Sequence, residues 1–295
     1  MDFLYDIIRH SAQNLVQTGV LPDSFKFAFV INSLLCALII GPMLGAIGTV
    51  VVAKRMAFFS NAIGHSALTG IAIGIMLGEP VNSPYISLFS FAILFAIFLN
   101  FSKNRSGMSH DTLIGVFLSA SLAIGASLMM FATKDINIHI LDGYMFGSIL
   151  TASNSDINLL LAVAVLAVAA GIYGFNRIIM SGLSPALAQV RGVAILVYDY
   201  VFVILIALIT VASVKIVGTI LVEALLIIPA AAARNITRSL KSFVVLSVVF
   251  ATISAVTGIV VPMEFKIPIP SGGAIIICAT IIFILTLLVK IVRRN

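Results

Sequence analysis

Long apolar runs, each closed by a short polar or basic connection, recur from residue 27 to residue 290. Crossing a bilayer as a helix takes about 17–25 residues. Runs near 27–53, 56–78, 84–101, 112–133, 157–176, 193–214, 216–233, 242–262 and 271–290 have that reach. They are too long and too continuous for barrel strands, which alternate over roughly ten residues. Backbone inside hydrocarbon must bond to itself, so each run is predicted to be a helix. The expected fold is all-α: a polytopic membrane protein, a bundle of about eight or nine transmembrane helices. The count turns on 216–233, which is short and contains Pro229. Residues 1–26 differ, because FLYDIIRHSAQNLVQ mixes apolar and polar positions at helical spacing. That pattern suits an interfacial helix, with His10 at the interface. The chain thus divides into an N-terminal interfacial segment, 1–26, and a single transmembrane domain, 27–295. Residues 1–26 show no cleavable signal pattern, so insertion is expected to use the first long apolar run.

Composition agrees. Hydrophobic residues fill 61% of the 295 positions and charged residues 9%, against roughly 25% charged in a soluble domain. Lipid must cover much of such a surface. The net charge of +6 is scattered through short connections, so nucleic acid is not an expected partner. No segment is large and polar enough for an ATPase, kinase or hydrolase domain. Cys36 and Cys278 both lie in apolar runs and read as buried free thiols. Lys54/Arg55, Lys103/Arg105, Arg177/Arg191, Arg234/Arg238/Lys241 and Lys290/Arg293/Arg294 fall at alternate helix ends. That alternation places these ends and the C-terminus in the cytoplasm. With nine spans the N-terminus lies outside.

The richest stretch is 54–78, KRMAFFSNAIGHSALTGIAIGIMLG. Asn61 and His65, four residues apart, share a helix face. A histidine at membrane depth is costly and marks a functional site. Ser66, Gly70, Gly74 and Gly78 form a second stripe at four-residue spacing, which lets another helix approach closely. In VGTILVEALLIIPAAAARN, Glu223 precedes Pro229 by six residues, and a bend is expected because proline cannot donate to the Leu225 carbonyl. The carboxylate suits either a pore-lining role or a hydrogen bond that fixes packing. The segment 177–192, RIIMSGLSPALAQVRG, reads as Ser184 at an N-cap, Pro185 at the first helical position, a short helix, and Gly192 at its end. An ordinary connection and a docking helix for a cytoplasmic partner fit it equally.

The remaining polar residues have simpler readings. Asp111, beside His110, is expected to cap a helix or favour its dipole. His139, Asp142 and Asp135 suit a solvated outer loop, and Asp199, between Tyr198 and Tyr200, suits an anchor or packing contact near the cytoplasmic interface. No HExxH or GxSxG pattern is present, and Ser66 does not share the His65 face. An enzyme is therefore not expected. A gradient-driven secondary transporter would use a buried Glu and His equally well, but would need no docking helix.

Six segments in order carry a family resemblance: KRMAFFSNAIGHSALTGIAIG at 54–74, DTLIGVFLSASLAIG at 111–125, LDGYMFGSIL at 141–150, SPALAQVRGV at 184–193, VGTILVEALLIIPAAAAR at 217–234 and IPSGGAIII at 269–277. Over nearly its whole length the chain resembles the permease subunits of metal-ion ABC importers, the zinc/manganese/iron permease family. The resemblance implies a bacterial inner-membrane protein with no ATPase domain of its own. It implies a second copy of the chain, two cytoplasmic ATP-binding subunits and an extracytoplasmic metal-binding protein. It also implies that Ser184, Pro185, Ala186, Leu187, Ala188, Gln189, Arg191 and Gly192 form the coupling helix, and that the Asn61/His65 face meets the ion. The family commonly has aspartate at the Asn61 position; asparagine offers a carbonyl without the charge. Glu223 would restore that charge if it lined the same path as His65. No resident cofactor is expected, only the transported ion. Histidine with few carboxylates favours zinc over manganese or iron, and Phe58-Phe59 is similar to the zinc permeases.

Overall fold

The computed structural model describes residues 2–18, 22–80, 84–132, 147 and 149–293. Among these residues there is no strand. The helices, numbered here in chain order, are α1 (Asp2–Gln17), α2 (Ala28–Lys54), α3 (Phe59–Met76), α4 (Tyr85–Ser106), α5 (His110–Ala132), α6 (Asn154–Leu183), α7 (Pro185–Val190), α8 (Ile195–Val217), α9 (Thr219–Ile236), α10 (Leu240–Glu264) and α11 (Ser271–Val292). Nine of them, among the described residues, are long and apolar enough to cross a membrane. The doubtful run is one of the nine: α9 continues through Pro229 for 18 residues.

Local chemistry sets several helix starts. Ser153 and Asp156 form a reciprocal cap on α6: the Asp156 carboxylate accepts from the Ser153 N–H at 3.0 Å, and the Ser153 hydroxyl from the Asp156 N–H at 3.3 Å. Asp156 thus begins a helix rather than floating in a loop. Ser239 caps α10 through the Ser242 N–H. At α5 the cap is Ser109, whose hydroxyl accepts from the Thr112 N–H at 3.2 Å. Of the two expectations for Asp111, capping gives way to Ser109, which stands just outside the first turn; Asp111 lies within that turn, the position the dipole reading requires.

The helices form two compact units. One comprises Met1–Thr49, Phe146–Val165 and Ile216–Asn295. Within it α9, α10 and α11 pack on one another. Between apolar helices in lipid, close packing rather than water expulsion supplies the attraction, and glycines permit it. A Cβ on Gly41 would sit 2.9 Å from the Thr252 Cα, and one on Gly45 would sit 2.9 Å from the Ser247 carbonyl oxygen. The Ser247 hydroxyl donates to the Gly45 carbonyl at 2.6 Å, fastening α2 to α10. Helix α1 is fastened too. The Tyr5 hydroxyl donates to the Asn158 side chain at 2.7 Å, and Arg9 donates to Asn32 at 2.9 Å and to Asn154. The amphipathic N-terminal helix is therefore held by side-chain hydrogen bonds to α2 and α6.

The other unit comprises Val50–Met145 and Leu166–Lys215. Its centre is α3, packed on α4 and α5. The Thr69 hydroxyl donates to the Ser121 carbonyl at 2.8 Å. A Cβ on Gly125 would come within 2.7 Å of the Thr69 hydroxyl oxygen. Phe117 of α5 meets Phe95 and Phe98 of α4 edge-on, with centroids 6.2 and 5.3 Å apart.

Candidate functional site

Helix α2 ends at Lys54, and the chain turns through Arg55, whose φ of 56° is left-handed. Helix α3 restarts at Phe59, which is fully buried, while Phe58 stays exposed. This break brings Asn61 and His65 into the first turns of α3, one turn apart and both half-buried. Everything from Ala62 to Gly64 and from Ser66 to Ala72 is buried around them. Among the described residues, His65 Nδ1 is buried and has no hydrogen-bond partner. A buried polar nitrogen left bare is unfavourable unless something binds it. An imidazole nitrogen is also a common donor to divalent transition metals.

Glu223 lies on α9, half-buried at the fifth residue of that helix. It belongs to the unit built on α9–α11, and Asn61 and His65 belong to the unit built on α3. Among the described residues no three His, Cys, Asp or Glu side chains gather to hold a metal ion. The α3 face alone therefore offers one imidazole and one amide. His139, Asp142 and Asp135 lie outside the described residues, as does most of 141–150. The helix start at His110 is described, but its side chain is not.

The small-residue stripe divides. A Cβ on Gly70 would lie 3.1 Å from the Phe91 Cβ and 3.2 Å from the Leu88 Cα; one on Gly74 would lie 3.0 Å from the Ser87 Cβ. Both glycines thus face α4. Ser66 is fully buried and donates to the Ile63 carbonyl at 2.7 Å. Gly78 departs from the expected packing role. Its φ is +90°, and among the described residues nothing lies within 4 Å of its Cβ position. It lies just beyond α3, where an L side chain would be strained.

The segment after α6 forms the predicted short helix, α7. Ser184 stands at the N-cap with non-helical backbone, but its side chain makes no capping bond; Pro185 begins the helix. The end is a Schellman motif: the Gly192 N–H bonds to the Gln189 carbonyl and the Val193 N–H to the Ala188 carbonyl, each at 2.9 Å. Gly192 supplies the left-handed residue with φ 69°. Ala188 is fully buried, whereas Leu187 is 51% and Val190 88% exposed. Ala186, Gln189, Arg191 and Gly192 are exposed as well, and Ala188 anchors the helix from beneath.

Two residues counted among the loop charges and interface contacts prove to be partners. Lys54 is paired with Asp199, and its side chain is only 6% exposed. Periodicity alone carried no signal for that pairing.

Comparison with known proteins follows the same outline. The chain is 31% identical over 269 residues to the manganese import system permease protein ScaB of Streptococcus gordonii, covering 91% of this chain and 94% of that one. It is 29% identical over 261 residues to the high-affinity zinc uptake system membrane protein ZnuB of Haemophilus influenzae, covering 88% and 97%. The solved structure of PsaBC from Streptococcus pneumoniae in complex with Fab superposes with a TM-score of 0.76 at 30% identity, covering 88% of this chain and 91% of that one. Residues 26–290 match the ABC 3 transport family, and the chain belongs to that family.

Proposed function

We propose that this chain is the membrane-spanning permease of an ATP-driven importer of a divalent first-row metal ion in the bacterial cytoplasmic membrane. The observation that carries the reading is the imidazole of His65, half-buried in an apolar helix with a bare buried nitrogen. The family membership supplies the transport context. In this reading the neutral imidazole and the Asn61 carbonyl each offer the passing ion a lone pair, and Glu223 supplies a carboxylate. Few ligands suit passage, since tight coordination would trap the cargo. The chain has no role in hydrolysing ATP. Two copies of it would work with two cytoplasmic ATP-binding subunits, received at Leu187 and Val190, and with an extracytoplasmic metal-binding protein.

Manganese is the cargo favoured by the relatives, since ScaB is named for manganese import. Zinc is a second reading, favoured by the imidazole and by the likeness to ZnuB. Nitrogen- and oxygen-donor sites generally bind zinc more tightly than manganese, with selectivity set by geometry, ligand type and metal availability; in this reading the extracytoplasmic binding protein makes that choice. The test is uptake into liposomes that hold the assembled complex, with ATP on the cytoplasmic side and manganese(II) or zinc(II) delivered outside. ATP-dependent accumulation of one ion is expected. Accumulation that proceeds without the ATP-binding subunits would overturn the reading in favour of a gradient-driven transporter.

A further inference from the structure

Lys54, the last residue of α2, is buried among groups from two other helices of its own unit. Its ammonium donates to the Asp199 carboxylate at the start of α8 and to the Ser181 hydroxyl near the end of α6, the latter at 3.1 Å. The same ammonium lies 4.8 Å from the centre of the Phe202 ring. The Lys54 stem crosses Gly182 so closely that a Cβ there would come within 3.0 Å of its Cε. The Asp199 side chain is 20% exposed. An ion pair removed from water to this degree is a poor source of stability, because desolvation offsets most of the attraction. What it supplies is a fixed geometry. A second tie, from the Arg177 guanidinium to the Tyr198 hydroxyl, joins α6 to α8 on the exposed side and does not involve α2.

The position of this cluster gives it a use. Ser181 and Gly182 stand just before the docking helix α7, and Asp199 just after it. Lys54 stands five residues before the start of α3, which carries Asn61 and His65. We infer that the Lys54–Asp199 pair, with Ser181, is the positioning link through which movement of the α7 segment reaches the α3 metal face. This rests on the importer reading above. A push on α7 shifts the ends of α6 and α8, and the clamped ammonium carries that shift to the turn that aims α3. Without the clamp, α7 moves and α3 lags behind it.

The test uses the full complex in liposomes with manganese(II), reading ions imported per ATP hydrolysed, detergent melting temperature and co-purification with the ATP-binding subunit. The double variant Lys54→Met/Asp199→Leu removes both charges of the pair together. It is expected to melt near the wild type, to retain its partner, and to import about tenfold fewer ions per ATP, the scale on which linking residues alter coupling. Lys54→Met alone removes the clamping ammonium and leaves Asp199, whose side chain is 20% exposed, in reach of water; it decides the matter if the double variant does not fold, and the same loss of stoichiometry is expected. Wild-type ions per ATP in the folded variant, beside a wild-type complex that imports, overturns the link alone. A wild-type complex that shows no ATP-driven import overturns the importer reading and the link with it.

Discussion

At the scale of the residue, His65 and Asn61 differ in what their loss removes. His65 has an unsatisfied buried nitrogen among the described residues; on the proposed importer reading its removal takes away the imidazole donor of the α3 face. His65→Ala should reduce ATP-driven uptake by about tenfold or more, the scale on which support around a metal governs affinity. Its melting temperature in detergent should stay near the wild type. Asn61→Asp should be tolerated, because a carboxylate oxygen can take the place of the amide oxygen and adds charge toward a cation. Uptake at matched expression, measured for both variants, checks the pair of expectations. Wild-type uptake in His65→Ala would leave the histidine as a packing residue and move the path elsewhere.

Helices in lipid gain little from expelling water, so the α3–α4 contact depends on how near the backbones come. Gly74 sets that distance at the element scale: with 3.0 Å between a prospective Cβ and the Ser87 Cβ, the rest of a leucine has no room. Gly74→Leu should destabilise the protein by about 1–3 kcal/mol through overpacking. Gly115→Leu on α5 is the control, since among the described residues nothing lies within 4 Å of the Cβ position. Melting in detergent should fall for the first and hold for the second. Equal melting would place the Gly70–Gly74 stripe outside the tight contact. Alternation of helical phase made this stripe readable before the fold was known. It also swept in Gly78, whose backbone has already left the helix.

At the scale of the whole molecule, the proposed importer would meet its ATP-binding partner at α7, where Leu187 and Val190 are exposed. Leu187→Glu and Val190→Glu place a charge on that face without entering the interior, since both side chains are exposed. Each should sharply weaken co-purification with the ATP-binding subunit and leave the permease folded and membrane-embedded. Retained co-purification and retained stimulation of ATP hydrolysis would show that the docking surface lies elsewhere. Ala188 is unsuited to this experiment, because a bulky charge at a fully buried position would damage the helix's seat and confuse misfolding with undocking. Nine helices, among the described residues, are long and apolar enough to cross a membrane, as the apolar runs predicted.

What the sequence determined by itself was where helices run and where they stop. In hydrocarbon each backbone group must bond within its own segment, so a span is a one-dimensional property, legible from apolar length and the polar residues that close it. The Ser-Pro start and Gly192 end of α7 were legible for the same reason, because caps are written within a few residues of the turn they close. The face shared by Asn61 and His65 followed from helical period alone. Tertiary structure decided which polar residues met. Lys54 and Asp199 are 145 positions apart, as are Arg9 and Asn154, and no local period encodes such a pairing. The same holds for orientation within a short helix: whether Ala188 or Val190 turns outward depends on what lies beneath, and that is supplied by distant chain. Charge and spacing could mark Lys54 as a helix-end charge; only packing of α6 and α8 around its stem could remove it from water.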